Sequence, residues 1–117
     1  MLMADDLSGD ERFSVIYCFD LDDTLCMTSG MDYASATPMP ARIERVNQLF
    51  EGGHTIKVFT ARGSETGIDW REVTERQLTF WGLKYHILIL GKPAADVYVD
   101  DKACHERDFE WQLEQSN

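Results

Sequence analysis

The chain has 117 residues, the size of one domain and too short for two. Its residues are 44% hydrophobic and 27% charged, which is typical of a soluble globular protein and excludes a disordered tail. Lys and Arg number 11 against 21 Asp and Glu, a net charge of -10, and a surface of that sign repels phosphate backbones and anionic lipids. We therefore expect neither nucleic acid nor a membrane as a partner.

The N-terminal sequence lacks the basic and apolar regions of a secretory signal. Residues 1–12 are polar and acidic and are predicted to be a flexible segment, followed by a single domain over residues 13–117. The uninterrupted apolar runs, such as Ile87 to Leu90, are far shorter than the roughly 18 residues of a membrane helix. The three cysteines have neither zinc-type spacing nor an even count for disulfides. We expect a cytoplasmic protein.

Four short apolar runs predict the strands of a mostly parallel sheet, because near-continuous hydrophobicity suits strands buried on both faces. They are residues 13–19, 55–59, 85–90 and 96–99. Helical patterns lie between and after them. Pro40 to Phe50 begins with proline, carries an apolar face and stops at two glycines, and Asp69 to Trp81 is followed by Gly82. A last polar helix is predicted over residues 103–113.

Polar side chains follow every predicted strand. The first ends in Asp20, Asp22 and Asp23, the second in Thr60 and Arg62, the third is followed by Lys92, and the fourth by Asp100 and Asp101. Strands alternating with helices predict an α/β fold, in which functional loops lie beyond the carboxyl ends of parallel strands. Taken singly, each of these residues is most often a turn or surface residue. Because all of them are expected at the same edge of the sheet, we predict a functional site there.

The chemistry of these side chains is that of phosphoryl transfer. Crowded carboxylates raise one another's pKa values unless a cation joins them, and oxygen ligands without His or Cys suit Mg²⁺. A hydroxyl from Thr60, backbone N–H groups and the Lys92 ammonium suit the oxygens of a phosphate dianion. One carboxylate is then available as nucleophile, and a second, two residues away, for proton transfer.

The pattern resembles the haloacid dehalogenase (HAD) superfamily of aspartyl-phosphate phosphohydrolases. The family's first motif, hhhhDxDxT, is similar to the segment from Val15 to Thr24, and the second, an apolar strand ending in Thr or Ser, is similar to Val58 to Thr60. Lys92 matches the third motif, and the acidic pair after residues 97–99 matches the fourth. All four occur in the family's order. Within the family, the chain resembles small capless members associated with bacterial surface-polysaccharide and sugar-phosphate metabolism.

The resemblance implies a Rossmann-like, HAD-type three-layer fold with little or no cap. It also implies a Mg²⁺-dependent phosphatase in which Asp20 attacks phosphorus and Asp22 protonates the leaving oxygen and then activates water. Thr60, Ala61, Arg62 and Lys92 are expected to contact the substrate. The implied metal ligands are Asp20, Asp22, Asp100 and Asp101. The family often has glycine where Asp23 stands, and aspartate is a known variant there.

The gaps between the motifs are too short for an inserted cap domain, so the site is expected to be open. We predict a sugar phosphate or similar small phosphometabolite as substrate, with a macromolecular phosphate as the alternative, and self-association that helps to cover the site. Four residues of the first loop either line the entrance or cover the edge of the core. They are Met27, Met31, Tyr33 and Met39.

Two other classes of function remain open. A receiver-type signalling domain also groups acidic residues, threonine and lysine around Mg²⁺, but its lysine comes last, whereas Lys92 precedes the second acidic pair. Such a switch also lacks the acid and base that Asp22 supplies. A non-catalytic module that binds metal and phosphate is the third possibility, although none of the essential residues is missing.

Overall fold

The computed structural model describes residues 14–115. The predicted flexible segment, residues 1–12, lies outside the described residues. Three parallel strands form the sheet, in the order β1 (Ile16–Asp20), β4 (Thr55–Thr60), β5 (Ile87–Leu90). A two-residue antiparallel ladder, β2 (Cys26–Met27) with β3 (Thr37–Pro38), lies in the loop after β1. The prediction of an α/β fold with a mostly parallel sheet is confirmed.

Helix α1 spans Pro40–Glu51 and follows its predicted pattern. Proline suits the first position of a helix because the N–H group it lacks would have no hydrogen-bond partner within the helix there. Ile43, Val46 and Leu49 on the apolar face of this helix are buried. They pack in the same core cluster as Ile56 and other side chains of the sheet.

Helix α2 spans Arg71–Phe80, but it buries a different face from the one that its apolar residues predict. Thr74 and Leu78 are fully buried, whereas Phe80 is 89% exposed. The reason is that polar groups on this face bind a buried arginine, as described below. The helix ends where predicted: Gly82 takes φ +73°, and Leu83 N–H donates to the Leu78 carbonyl at 3.0 Å.

Both α-helices pack on the same face of the sheet. Along β4 the side chains alternate, with Ile56, Val58 and Thr60 buried on the helix side. On the other side, Ile16 of β1 and Ile87 and Ile89 of β5 are at least 40% exposed. Within residues 14–115 the fold therefore has two layers, and the predicted third layer is not formed.

The C-terminal part of the chain departs from prediction. Residues 96–99 form no strand, and Val97 and Val99 are exposed. The predicted helix over residues 103–113 is reduced to a single 3₁₀ turn, Glu106–Asp108. The aromatic side chains of Phe109 and Trp111 pack against Phe19 instead, and this contact favours an irregular path over a helix with a polar surface. In the described residues no helix is long and apolar enough to span a membrane.

Candidate active site

The carboxyl ends of the three parallel strands meet at one edge of the sheet. Asp20, the last residue of β1, is in register with Phe59, and Thr60 ends β4. Lys92 follows β5 by two residues, and its backbone N–H donates to the Thr60 carbonyl at 3.1 Å. Asp20, Thr60 and Lys92 thus lie together because parallel strands place their carboxyl ends side by side.

Asp20 and Lys92 form an ion pair, with Oδ1 and Nζ 3.2 Å apart. The ammonium also lies 4.5 Å from the centre of the Phe59 ring and 4.2 Å from that of Tyr98. Partial burial raises the pKa of Asp20 above its usual value, and the attraction of Lys92 offsets only part of that rise. Asp20 is therefore a partly desolvated carboxylate paired with Lys92.

Asp22 lies at the centre of a denser network. Its Oδ1 accepts hydrogen bonds from the Thr28 hydroxyl at 2.5 Å and from Arg62 Nη2 at 2.9 Å. Its Oδ2 accepts from Arg62 Nε at 3.0 Å and from the Thr60 hydroxyl at 3.3 Å. Both carboxylate oxygens are thus held in a fixed orientation.

The pKa of Asp22 moves in the opposite direction to that of Asp20. Desolvation is the largest single influence and raises it, but the hydrogen bonds from Arg62 and Thr28 and the charge of Arg62 together outweigh burial. The net pKa lies below the usual value for aspartate. Asp22 is therefore held as a carboxylate, the form in which it accepts protons.

Arg62 is buried beneath the site and does not extend into it. Its side chain is fully excluded from solvent, and Nη1 donates to the Thr74 hydroxyl at 3.0 Å and to Gln77 Oε1 at 2.6 Å. The guanidinium carbon lies 5.0 Å from the centre of the Tyr33 ring. This differs from the prediction that Arg62 contacts the substrate, because its donors are used by Asp22 and by helix α2. The geometry makes it a positioning residue for Asp22.

The turn after β1 is anchored by two buried leucines. Leu21 and Leu25 are fully excluded from solvent, and the Leu21 carbonyl accepts from Leu25 N–H at 2.8 Å. Asp23 between them takes φ +64°, a left-handed conformation that favours glycine and that aspartate tolerates. Glycine adopts this backbone conformation without strain, and aspartate adopts it at a small cost.

Within residues 14–115 the second acidic pair forms no metal-binding group with Asp20 and Asp22. Asp100 and Asp101 are exposed, and the Asp100 carboxylate accepts from Lys102 N–H at 2.7 Å, a backbone hydrogen bond that lowers its pKa. Among residues 14–115 no three His, Cys, Asp or Glu side chains are grouped so that they could hold a metal. The reason is that residues 96–99 do not join the sheet. The carboxylates of Asp20 and Asp22 are paired with Lys92 and Arg62, and binding of Mg²⁺ by Asp20, Asp22, Asp100 and Asp101 remains a prediction.

Three contacts of the candidate site were not predicted from the sequence. Thr28 binds Asp22, and Thr74 and Gln77 bind Arg62. The sequence did contain a signal for the two helix residues. Thr74 and Gln77 are three positions apart, so they lie on the helix face that also carries the buried Leu78. For Thr28 there was none, because its position depends on the tight turn before it.

Cys26 is a packing residue beside Asp22. Burial raises the pKa of its thiol to about 11, so it remains protonated at neutral pH. His54 and His86 are structural as well: the Nδ1 of each accepts a backbone N–H, from Val15 and from Ile56, both at 3.0 Å.

The loop after β4 depends on Gly63. This residue has φ +82°, and a Cβ there would lie 2.1 Å from the Ile68 carbonyl oxygen. We expect Gly63→Ala to lower the free energy of unfolding by at least about 2 kcal/mol, because it adds a backbone clash to the left-handed conformation. Gly67→Ala is the matched control, since Gly67 has φ +77° but nothing within 4 Å of the added Cβ. Equal losses in urea denaturation of the two variants would contradict the clash.

Comparison with known proteins finds similarity in solved structures alone. No protein-family model matches the chain, and no curated protein matches it. An MCSG target from Vibrio cholerae, known from its crystal structure, is similar with a TM-score of 0.72 and 25% identity over 80% of this chain and 85% of that one.

Two further similarities are to chains of Pnkp1/Rnl/Hen1 assemblies. A chain of the Pnkp1/Rnl/Hen1 complex is 23% identical with a TM-score of 0.53, and the match covers 75% of this chain but 30% of that one. A chain of the Pnkp1/Rnl/Hen1 RNA repair complex matches with the same identity and TM-score over 73% of this chain and 27% of that one. These similarities establish an α/β fold that this chain shares with parts of larger proteins.

Proposed function

We propose that the protein is a phosphatase that hydrolyses a small phosphate monoester through an aspartyl phosphate on Asp20. One observation supports the proposal: the Asp20–Lys92 pair lies at the strand ends beside the Asp22–Arg62 pair, so the two carboxylates to which we assign nucleophilic attack and proton transfer share one edge of the sheet. Clustered carboxylates with perturbed pKa values are typical of catalytic sites.

In the first half-reaction, Asp20 Oδ attacks phosphorus and the bond from phosphorus to the leaving oxygen breaks. Lys92 reduces the repulsion between the Asp20 carboxylate and the phosphate dianion. The negative charge of that dianion raises the pKa of Asp22, which then carries the proton that the leaving oxygen takes. The product alcohol departs with that proton.

In the second half-reaction, water attacks the phosphorus of the aspartyl phosphate. Asp22, again a carboxylate, takes a proton from this water, and the bond between phosphorus and Asp20 breaks to release inorganic phosphate. The hydrogen bonds from Arg62 and Thr28 suit this step because they hold Asp22 in its basic form and in one orientation.

Magnesium dependence and self-association belong to the proposal as sequence-based predictions. A Mg²⁺ ion would neutralise charge on the phosphate. The RNA named for one of the similar assemblies suggests a nucleic-acid phosphate as a second substrate class, and the net charge of -10 disfavours it.

The test measures phosphate released from p-nitrophenyl phosphate and from hexose phosphates over many turnovers, with Mg²⁺ and with EDTA. We expect multiple turnovers with Mg²⁺ and their loss with EDTA. A stoichiometric phosphoprotein that persists would favour the receiver-type switch. Binding of inorganic phosphate by equilibrium dialysis without turnover of any ester would favour the non-catalytic module.

A further inference from the structure

Gln77 of helix α2 binds two different parts of the fold through its side-chain amide. Its Oε1 accepts a hydrogen bond from Arg62 Nη1 at 2.6 Å. Its Nε2 donates to the backbone carbonyl of Tyr33 at 2.7 Å, in the 3₁₀ turn Tyr33–Ser35 of the loop after β1. One half-buried amide therefore joins the helix, the buried arginine and the loop.

Glutamine is chemically suited to this bridge. The Arg62 guanidinium has only N–H donors, so its partner must accept, whereas the Tyr33 carbonyl only accepts, so its partner must donate. A side-chain amide does both. Glutamate at position 77 would still accept from Arg62, but its second oxygen would face the Tyr33 carbonyl with no hydrogen between them. Methionine at this position would make neither hydrogen bond.

The bridge reaches Asp22 through Arg62. Arg62 Nε and Nη2 donate to the Asp22 carboxylate at 3.0 and 2.9 Å. Nη1 of the same guanidinium donates to Gln77 and to the Thr74 hydroxyl. Because a guanidinium is planar and rigid, fixing Nη1 also fixes the directions in which the other N–H groups point. Gln77 thus helps to set the orientation of the donors that hold Asp22.

The loop after β1 also holds Asp22. The Thr28 hydroxyl donates to Asp22 Oδ1 at 2.5 Å. Further along this loop, Gln77 binds the Tyr33 carbonyl, and the Tyr33 ring meets the ring of Trp70, at the start of helix α2, edge to face at 5.1 Å. Helix α2 therefore supports both sets of hydrogen bonds to the carboxylate, one through the buried arginine and one through the loop.

We propose that Gln77 is a positioning residue for proton transfer by Asp22, because it holds Arg62 and the loop after β1 in one arrangement. The inference rests on the proposed function and deepens it, since it names a residue outside the reacting groups that governs one step. That step is the transfer of the Asp22 proton to the leaving oxygen, which requires the carboxyl group to be aligned with that oxygen.

Two esters with different leaving groups separate this role from a merely structural one. The anion of p-nitrophenol departs with little help from a proton, whereas the alkoxide of p-nitrobenzyl phosphate needs one. The ratio kcat/KM covers the steps up to departure of the leaving group, so the later hydrolysis of the aspartyl phosphate does not affect it. In Gln77→Met, we expect kcat/KM to fall by about tenfold for p-nitrobenzyl phosphate and by no more than about twofold for p-nitrophenyl phosphate.

Gln77→Glu tests the bond to the loop. This variant keeps an acceptor for Arg62 but lacks the donor to the Tyr33 carbonyl, so we expect the same selective loss for the p-nitrobenzyl ester. It also serves for the comparison if thermal unfolding shows that Gln77→Met does not fold. Wild-type values for both esters in Gln77→Glu would overturn the inference, because the loop would then not be coupled to Asp22.

Gln48→Met is the matched control, because Gln48 forms the same kind of bridge near the C-terminal end of helix α1. Its Oε1 accepts from Arg45 Nη1 at 2.7 Å, and its Nε2 donates to the Glu114 carbonyl at 3.1 Å. Loss of this bridge should lower the thermal stability and leave the ratio of the two kcat/KM values within about twofold of wild type.

Equal losses for the two esters in Gln77→Met would overturn the inference and leave the phosphatase standing. Turnover of the p-nitrophenyl ester alone by wild type would overturn it as well, because proton transfer to an alkoxide would then be absent. Absence of turnover of both esters by wild type overturns the proposed function itself, and the inference with it.

Discussion

Replacing Arg62 with methionine is expected to lower the free energy of unfolding by about 3–5 kcal/mol. The substitution keeps much of the volume but removes the cation that compensates the partly buried Asp22 carboxylate. It also removes the Arg62 Nη1 donor whose hydrogen bonds Thr74 and Gln77 of helix α2 both accept. Breaking one side of a buried charged network is costly because the remaining polar groups cannot regain water.

Arg76→Met is the control for this measurement. Arg76 pairs with Glu72 on the same helix, but both side chains are more than 70% exposed, so its loss should change stability by no more than about 0.5 kcal/mol. Urea denaturation monitored by circular dichroism gives both values. The double variant Arg62→Met with Asp22→Asn should lose less than the sum of the single changes, because the uncompensated charge is gone. Similar small losses for Arg62→Met and Arg76→Met would contradict the role assigned to Arg62.

Asp20→Asn is expected to reduce phosphate release by about 10⁴-fold or more, because asparagine cannot form the acyl phosphate. The fold should persist, since the Asp20 side chain is 36% exposed and asparagine retains its shape. The comparison is of single-turnover and steady-state phosphate release, with thermal unfolding as the measure of folding.

Asp32→Asn is the matched control, because Asp32 is an exposed aspartate in the loop after β1. It should retain phosphate release within about twofold of wild type. Equal activity of Asp20→Asn and wild type would eliminate a covalent mechanism. A comparable loss in Asp32→Asn would indicate that the effect comes from the charge of the loop and not from a nucleophile.

Local patterns predicted the elements that pack against one another. The apolar spacing in Pro40 to Phe50 indicated helix α1 because the packing face is continuous. Strands β1, β4 and β5 followed from short apolar runs, although only the side chains on the helix side of the sheet are buried. The placement of Asp20, Thr60 and Lys92 at one edge followed from the parallel topology alone.

The remaining features depend on tertiary partners that spacing does not encode. Val97 to Val99 has the composition of a strand, yet a strand needs a paired neighbour, and this segment remains exposed. Arg62 follows the end of a strand, which is also where a substrate-binding arginine would lie. Its side chain is buried instead because it donates hydrogen bonds to Thr74 and Gln77 of helix α2. Charged residues at the strand ends thus indicated a functional site, but the sequence did not indicate that Arg62 pairs with Asp22 and Lys92 with Asp20.

The most direct measurement of the central claim is chemical identification of the phosphorylated residue. The protein is quenched during turnover of p-nitrophenyl phosphate and reduced with borohydride, which converts an aspartyl phosphate into homoserine, and its peptides are sequenced by mass spectrometry. Phosphoryl transfer to Asp20 predicts homoserine at position 20 in wild type and none in Asp20→Asn. Homoserine at another aspartate, or none while turnover proceeds, would contradict it.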